Sequence, residues 1–118
     1  MATQGEHDVM PFDATYHDEE PTREEIDQSE GPLLLEFGAN WCGHCQAASS
    51  VIEGLLNAHP EVQHIRVADG KGKRLGRSFR VKLWPTLLFM RDGQVIAELI
   101  RPPPDAIGTA MNQLLSAE

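Results

Sequence analysis

The chain has 118 residues, a formal net charge of −8, 41% apolar residues and only two cysteines. This length fits one ordinary domain and is too short for two, and two cysteines are too few for the disulfide framework of a small secreted protein. No apolar stretch approaches the length of a membrane-spanning helix, so we expect no membrane partner.

The charge is unevenly distributed along the chain. Residues 1–32 carry ten acidic side chains against one base, whereas residues 33–118 are nearly balanced at +1. The acidity argues against a nucleic-acid partner. Residues 1–11 are predicted to be a flexible acidic arm, and residues 12–118 a single domain. Because residues 1–30 contain no apolar segment typical of a signal peptide, we expect a cytoplasmic protein.

The first half of the chain predicts two strands and two helices. Phe12–Tyr16 is predicted as a short edge strand, and Pro21–Glu25 begins a helix with acids in its first turn. The apolar run Leu33–Ala39 is typical of a strand buried on both faces, although Glu36 interrupts it. Apolar residues at helical spacing then predict a helix over Cys42–His59, which ends before a proline.

The second half continues with three strands and two helices. Val62–Ala68 is predicted as a buried strand and Lys71–Phe79 as a short, irregular helix. Thr86–Met90 and Gln94–Ile100 are predicted to form a hairpin, since an Asp-Gly pair lies between them. The prolines at 102–104 can only open a final helix. The predicted order is β-α-β-α-β-α-β-β-α, an α/β domain with a mixed sheet flanked by helices.

The two cysteines form the tetrapeptide Cys42-Gly43-His44-Cys45, directly after Trp41. A disulfide across so small a loop would contribute only about 2 kcal/mol, so a redox-active pair is favoured over a structural brace. At a helix N-terminus, free backbone N–H groups favour a thiolate at Cys42. Cys42 is therefore predicted to attack substrate disulfides, and Cys45, one turn further along the helix, to resolve the mixed disulfide.

His44 lies between the two cysteines. A partly protonated imidazole between the cysteines would stabilise the thiolate and make the couple more oxidising, whereas an exposed histidine would have no such role. A pair of inert buried cysteines and half of a zinc site are the other interpretations. Zinc needs about four ligands, and the chain has no second cysteine pair. We therefore expect no metal and no organic cofactor.

The motif after a buried strand, followed by Trp84-Pro85-Thr86 before the hairpin, resembles the thioredoxin superfamily over residues 12–118. The Cys-Gly-His-Cys tetrad looks like the active site of protein disulfide isomerase domains, whereas the size looks more like a bacterial thioredoxin. The resemblance implies a thioredoxin fold and a thiol–disulfide oxidoreductase. Its partners would be protein dithiols and disulfides, with a reductase or glutathione on the other side of the electron exchange.

The resemblance also implies roles for single residues. Glu36 would be a buried acid that accepts and returns the proton of Cys45; otherwise it is a solvent-facing strand residue. Pro85 would follow a cis peptide bond, which lets the backbone of Trp84 pair with a substrate strand; otherwise it is an ordinary trans proline. Trp41 would belong to the docking surface or pack in the core. The remaining implied docking residues are Gly43 and Thr86.

Three positions depart from the family pattern. Gln46 stands where many relatives carry lysine, Ser50 where thioredoxins usually have a kinking proline, and Arg101 where a glycine usually lets the substrate backbone approach. These departures keep a second hypothesis open: a binding, chaperone or maturation module with secondary redox activity. The basic run Lys71–Lys82 is either a solvated face, the contact for an acidic protein partner, or an intramolecular contact with the acidic N-terminal arm.

Overall fold

The computed structural model describes residues 12–117. The predicted acidic arm over residues 1–11 lies outside the described residues. The described part contains four helices and four strands, in the order α-β-α-β-α-β-β-α. They are α1 (Arg23–Asp27), β1 (Pro32–Gly38), α2 (Gly43–Ala58), β2 (Gln63–Ala68), α3 (Arg74–Ser78), β3 (Thr86–Arg91), β4 (Gln94–Ile100) and α4 (Pro104–Ser116).

The strands form one mixed sheet in the order β2-β1-β3-β4. Strands β1 and β2 are parallel, and β3 pairs antiparallel with both β1 and β4. The predicted hairpin is confirmed: Asp92 and Gly93 have φ values of 51° and 78°. Two consecutive positive φ angles are what a two-residue turn between twisted strands requires. The predicted α/β fold with a mixed sheet and flanking helices is therefore confirmed.

The prediction of an edge strand over Phe12–Tyr16 is wrong. This segment is irregular, and its neighbour His17 makes only an isolated bridge to Val67. The reason is that side chains occupy its backbone groups. The N–H of Tyr16 donates to Asn40 Oδ1 at 2.8 Å, and its carbonyl accepts from Asn40 Nδ2 at 3.0 Å. The described chain therefore begins without the first predicted strand.

The core has two layers, one on each face of the sheet. On one face, Leu34 of β1 packs against α2 and α4; on the other, Leu33, Leu35 and Phe37 pack against α1 and α3. Since strand side chains alternate between faces, Glu36 shares the α2 face with Leu34. This alternation directs the carboxyl group toward the side of the sheet that carries the cysteines. Within the described residues, no helix is long and apolar enough to cross a bilayer.

Candidate active site

The two cysteines are reduced and lie at the start of α2. Cys42 is the N-cap residue, and its Sγ accepts the backbone N–H of Cys45 at 3.2 Å. This N–H and the positive end of the helix dipole both favour negative charge on the sulfur. Cys42 is 7% exposed and Cys45 1%. Both sulfurs are thus largely covered, and Cys45 is the deeper of the two.

The Cys45 thiol is a weak acid in this site. Burial away from water, together with the neighbouring Cys42 sulfur, raises the pKa of Cys45 to about 11. The Ala39 backbone and the Tyr16 side chain act in the opposite direction and lower this pKa. At neutral pH this thiol is therefore protonated in all but about one molecule in 10⁴. Resolution of a mixed disulfide by Cys45 thus needs a group that accepts its proton.

Glu36 is fully buried, so the alternative of a solvent-facing residue is wrong. Its Oε1 accepts the hydroxyl hydrogen of Tyr16 at 3.2 Å, and its Oε2 accepts Arg66 Nε at 3.1 Å. His64 Nε2 contacts the same Oε2. Arg66 is itself 2% exposed, so the carboxyl and guanidinium groups form a buried ion pair. The sequence predicted the buried acid without this cationic partner.

Tyr16 is a site residue that the sequence analysis missed. It is 4% exposed, packs in one cluster with both cysteines, and donates its hydroxyl to Glu36. Burial and the nearby Glu36 carboxyl raise the pKa of this phenol far above its usual value, so the hydroxyl stays protonated. Its ring packs beside the Cys45 sulfur, and both lie next to Gly38. Tyr16 therefore lies between the resolving thiol and the buried acid.

Gly38 makes this close arrangement possible. A Cβ atom at this position would lie 2.6 Å from Cys45 Sγ and 2.8 Å from the Tyr16 ring. Contacts this short are not tolerated in a packed interior, so any larger residue must displace the tyrosine or the cysteine. The glycine at the end of β1 thus sets the depth of Cys45.

Gly38→Ala is expected to destabilise the reduced protein by about 1–3 kcal/mol, the usual penalty for overpacking. It should also slow formation of the intramolecular disulfide, because Cys45 is displaced. Urea denaturation and the oxidation rate measure the two effects. Gly54→Ala is the matched control: it lies in α2 with open space around its Cβ position, and a helix-interior alanine should stabilise by up to about 1 kcal/mol. Equal stability of the two variants would contradict the packing argument.

Two tryptophans flank the cysteines. The Trp41 ring meets the Trp84 ring edge-on, with centroids 5.5 Å apart at 71°, and Trp84 Nε1 donates to Asp69 Oδ2 at 2.9 Å. Trp41 is 76% exposed, so the core-packing alternative is wrong. The peptide bond before Pro85 is cis, the geometry that the sequence predicts. Together these residues form one apolar wall beside Cys42.

A cavity of about 390 Å³ opens in front of this wall. Cys42 lies on its lining together with exposed Gly43 and His44 on the cysteine side. Leu83, 47% exposed, adds an apolar surface that the sequence analysis missed. Lys82 and Arg101 complete the lining, so the mouth of the site is apolar with two cations.

Thr86 does not take the docking role that the resemblance implied. The side chain is buried, and its Oγ1 donates to the Leu83 carbonyl at 2.7 Å. As the first residue of β3, between β1 and β4, Thr86 is covered by neighbouring strands. Its hydroxyl therefore holds the loop that carries Trp84 and does not reach a substrate.

Arg101 covers a backbone group that was predicted to pair with substrate. Its Nε donates to the Trp84 carbonyl at 2.8 Å, and its backbone N–H donates to the Pro85 carbonyl at 2.9 Å. The residue has φ of 47°, in the left-handed region that favours glycine. The Trp84 carbonyl is thus already bound by this chain's own guanidinium.

The arrangement has the features of a dithiol exchange site. A nucleophilic sulfur lies at a helix N-terminus, a second thiol lies beneath it, and a buried acid and an apolar docking wall adjoin the pair. Among residues 12–117, no three His, Cys, Asp or Glu side chains cluster as metal ligands do. Fold and site together define the class of thiol–disulfide oxidoreductases with a Cys-x-x-C motif.

Comparison with known proteins identifies the family within that class. The Thioredoxin family model matches residues 14–113. The chain belongs to the thioredoxin family, whose members are thiol–disulfide oxidoreductases. The structure of thioredoxin 2 from Pseudomonas aeruginosa PAO1 in its reduced form is 46% identical, with a TM-score of 0.70, over 84% of this chain and 96% of that chain.

Two further relatives have a lower sequence identity to this chain than the Pseudomonas aeruginosa thioredoxin, and one of them is much longer. Mitochondrial thioredoxin-3 of Saccharomyces cerevisiae is 27% identical over 82 residues, which cover 70% of this chain and 65% of that protein. Human protein disulfide-isomerase A2 is 36% identical over 114 residues, which cover 78% of this chain but only 22% of that protein. The likeness to the isomerase thus concerns a fraction of a much longer chain.

Proposed function

We propose that this chain exchanges disulfides with protein substrates through Cys42. The Cys42 thiolate attacks one sulfur of a substrate disulfide, forms a mixed disulfide and releases the first substrate thiolate. Cys45 then loses its proton and attacks Cys42 Sγ, which releases the second substrate thiol and leaves a Cys42–Cys45 disulfide. The substrate gains two electrons and the dithiol loses them. The same steps in reverse oxidise a substrate.

One observation carries this proposal: the Cys42 sulfur accepts the Cys45 N–H at 3.2 Å while it lines the cavity beside Trp84. The hydrogen bond stabilises a sulfur anion, both while Cys42 attacks and when it leaves. The cavity leaves room for a substrate sulfur next to it. A structural cysteine pair would need neither the anion-stabilising contact nor the opening.

The deeper thiol needs a proton acceptor, and the Tyr16–Glu36 pair supports one. A proton leaving Cys45 can pass to the Glu36 carboxylate by way of Tyr16, which packs beside the thiol and donates its hydroxyl to Oε1. This arrangement supports the proton-accepting role that the resemblance implies for Glu36. His44 lies exposed on the rim of the same cavity, and its role beside Cys42 stays a prediction.

The electrons would come from another thiol system, either the dithiol of a reductase or two molecules of glutathione. No metal or organic cofactor is needed, because the dithiol itself carries both electrons. We place the protein in the cytoplasm, since both of its cysteines belong to the redox motif and none remains for a structural disulfide. Cell fractionation with a compartment-matched reductase assay tests this part of the proposal.

The test of the mechanism is a trap. Cys45→Ser, incubated with a disulfide-linked protein such as insulin, is expected to accumulate a covalent mixed disulfide, seen on non-reducing gels and by mass spectrometry. Cys42→Ser is the matched control, since it keeps one thiol of the same motif, and it should trap little. Equal trapping by Cys42→Ser would contradict the assignment of Cys42 as nucleophile.

Insulin reduction by the parent protein separates the two functional hypotheses. Catalytic turnover with an added dithiol supports a general oxidoreductase. Stable capture of one protein without insulin turnover would instead support the binding or maturation module.

A further inference from the structure

The cations of this acidic chain are concentrated beside the active site. A second cavity of about 450 Å³ is lined by the loop after β2 and the segment after α3, and Lys82 lines both this cavity and the one at Cys42. The two cavities thus adjoin. Six of the ten lysine and arginine residues line them. We call this surface the cationic groove; its cations are Lys71, Lys73, Arg77, Arg80, Lys82 and Arg101.

The positive charge in the groove is largely uncompensated by residues 12–117. Within them, no carboxylate lies within ion-pair distance of Lys71, Arg77, Arg80 or Lys82. Lys73 approaches Asp18 only at 3.9 Å. Asp69 is the single acid on the lining, and its Oδ2 is already bound by Trp84 Nε1.

Backbone conformation adds an independent observation. Arg80 and Arg101 have φ values of 61° and 47°, so both arginines occupy backbone positions that suit glycine or asparagine better. The two residues line different cavities: Arg80 lines the second cavity, and Arg101 lines the cavity at Cys42. Unfavourable backbone conformations of this kind concentrate where a side chain serves binding or catalysis.

We propose that the cationic groove binds an acidic segment of the protein substrate, adjacent in its chain to the disulfide that Cys42 attacks. This inference rests on the proposed disulfide exchange and names the class of substrate. The exposed side chains of Trp41 and Leu83, with half-buried Trp84, take the residues next to the reacting sulfur. The cations of the second cavity take the carboxylates. Electrostatic attraction in such a groove raises the rate of encounter with oppositely charged partners.

Arg101 links this specificity to docking. Its guanidinium occupies the Trp84 carbonyl at 2.8 Å, which a substrate strand would need as a hydrogen-bond acceptor. A substrate carboxylate offers the guanidinium a stronger, charge-assisted partner. An acidic residue near the reactive cysteine therefore releases the carbonyl for pairing, whereas a neutral segment has to compete with Arg101 for it.

The experiment uses three peptide disulfides that differ only in four flanking residues: glutamate, glutamine or lysine. The fully reduced, full-length protein is mixed with each, and the second-order rate of peptide thiol release is measured by stopped flow. The glutamate peptide is expected to react about tenfold faster than the glutamine peptide at low ionic strength, and the lysine peptide more slowly. In about 0.5 M salt the three rates should converge.

Two Arg→Gln variants, which have the same net charge as each other, then show whether the charge preference arises in the cationic groove. Arg80→Gln removes a cation of the groove and is expected to lower the glutamate-to-glutamine rate ratio about threefold. Adding Lys71→Gln should lower the ratio further. Arg74→Gln is the control: this exposed residue lines a different cavity, formed with α1, and should leave the ratio unchanged.

The outcomes distinguish failure of the cationic-groove proposal from failure of the proposed disulfide exchange. Equal rates for the three peptides, or an equal loss of the ratio in Arg74→Gln, would overturn the cationic groove, while reduction of the glutamine peptide would still support disulfide exchange. Failure to reduce any peptide would instead contradict the proposed function. Tighter binding of a short single-stranded DNA than of the glutamate peptide, at equal ionic strength, would assign the groove to nucleic acid and overturn the proposal.

Discussion

Glu36→Leu is expected to destabilise the folded protein by about 3–5 kcal/mol. The substitution leaves Arg66, 2% exposed, as a buried charge without its carboxylate partner, and His64 loses the same contact. Removing one member of a buried ion pair is strongly unfavourable, because the remaining charge has lost both water and its partner. Urea denaturation of the reduced protein measures the loss as a lower midpoint at unchanged slope.

The double variant Glu36→Leu, Arg66→Met shows that the loss comes from the unpaired charge. Replacing both members of a buried pair by apolar residues of similar size is often neutral or stabilising. The double variant is therefore expected to recover most of the stability, with a coupling energy of several kcal/mol across the cycle. Arg66→Met alone should be destabilising as well. If the double variant lost as much stability as the two single variants together, the result would contradict a stabilising interaction between Glu36 and Arg66.

Much of the site follows from local sequence pattern. Cys42 and Cys45 are three residues apart at a predicted helix start, so their placement depends only on helix geometry. The burial of Glu36 follows from the apolar run around it, because a strand that is covered on both faces has no solvent-facing position. Each of these predictions depends on a single helix or strand. Strand β1 and helix α2 begin and end within one or two residues of the predicted positions.

The rest of the site depends on contacts between distant segments. Tyr16 reaches Glu36 across 20 residues of chain, and Arg66 reaches it across 30. The register that sets Arg66 opposite Glu36 is a property of the parallel β1–β2 pair, which no local pattern encodes. The sequence predicts Val62–Ala68 as a buried strand, but it does not indicate which acid the strand's polar side chains meet.

The segment before α1 illustrates the same limit. Phe12–Tyr16 has a composition that suits a strand, yet Asn40 and His64 bind its backbone groups through their side chains. The segment is thereby fixed over the active site as an irregular loop, with the Tyr16 ring inserted beside Cys45. Side chain–backbone hydrogen bonds compete with strand pairing, and propensity alone cannot show which will form.

Tyr16→Phe is expected to slow resolution by Cys45 about 10- to 100-fold at pH 7, while attack by Cys42 changes little. Removing the hydroxyl breaks the link from the thiol to Glu36 Oε1, and proton transfer by a positioned group typically contributes 10²–10⁴-fold. It also removes a contact that lowers the pKa of Cys45, so this pKa should rise above about 11. Stopped-flow reaction with excess coloured disulfide separates the concentration-dependent attack from the concentration-independent resolution.

The pH dependence shows whether proton transfer is the cause. Without the link, Cys45 has to lose its proton to solvent, so resolution in Tyr16→Phe should rise about tenfold per pH unit between pH 7 and 10. The parent protein should show a shallower rise, because Glu36 accepts the proton. A structural defect alone would lower the rate equally at every pH.

Glu36→Gln completes the argument, since it keeps the shape of the side chain and removes the accepting carboxylate. If the tyrosine and the acid act as one path, each single variant and the double variant should share nearly the same residual rate of resolution. Independent roles would instead multiply the two losses. A multiplied loss, together with a parent pH profile as steep as that of Tyr16→Phe, would remove Tyr16 from the path of the proton and leave Cys45 dependent on solvent alone.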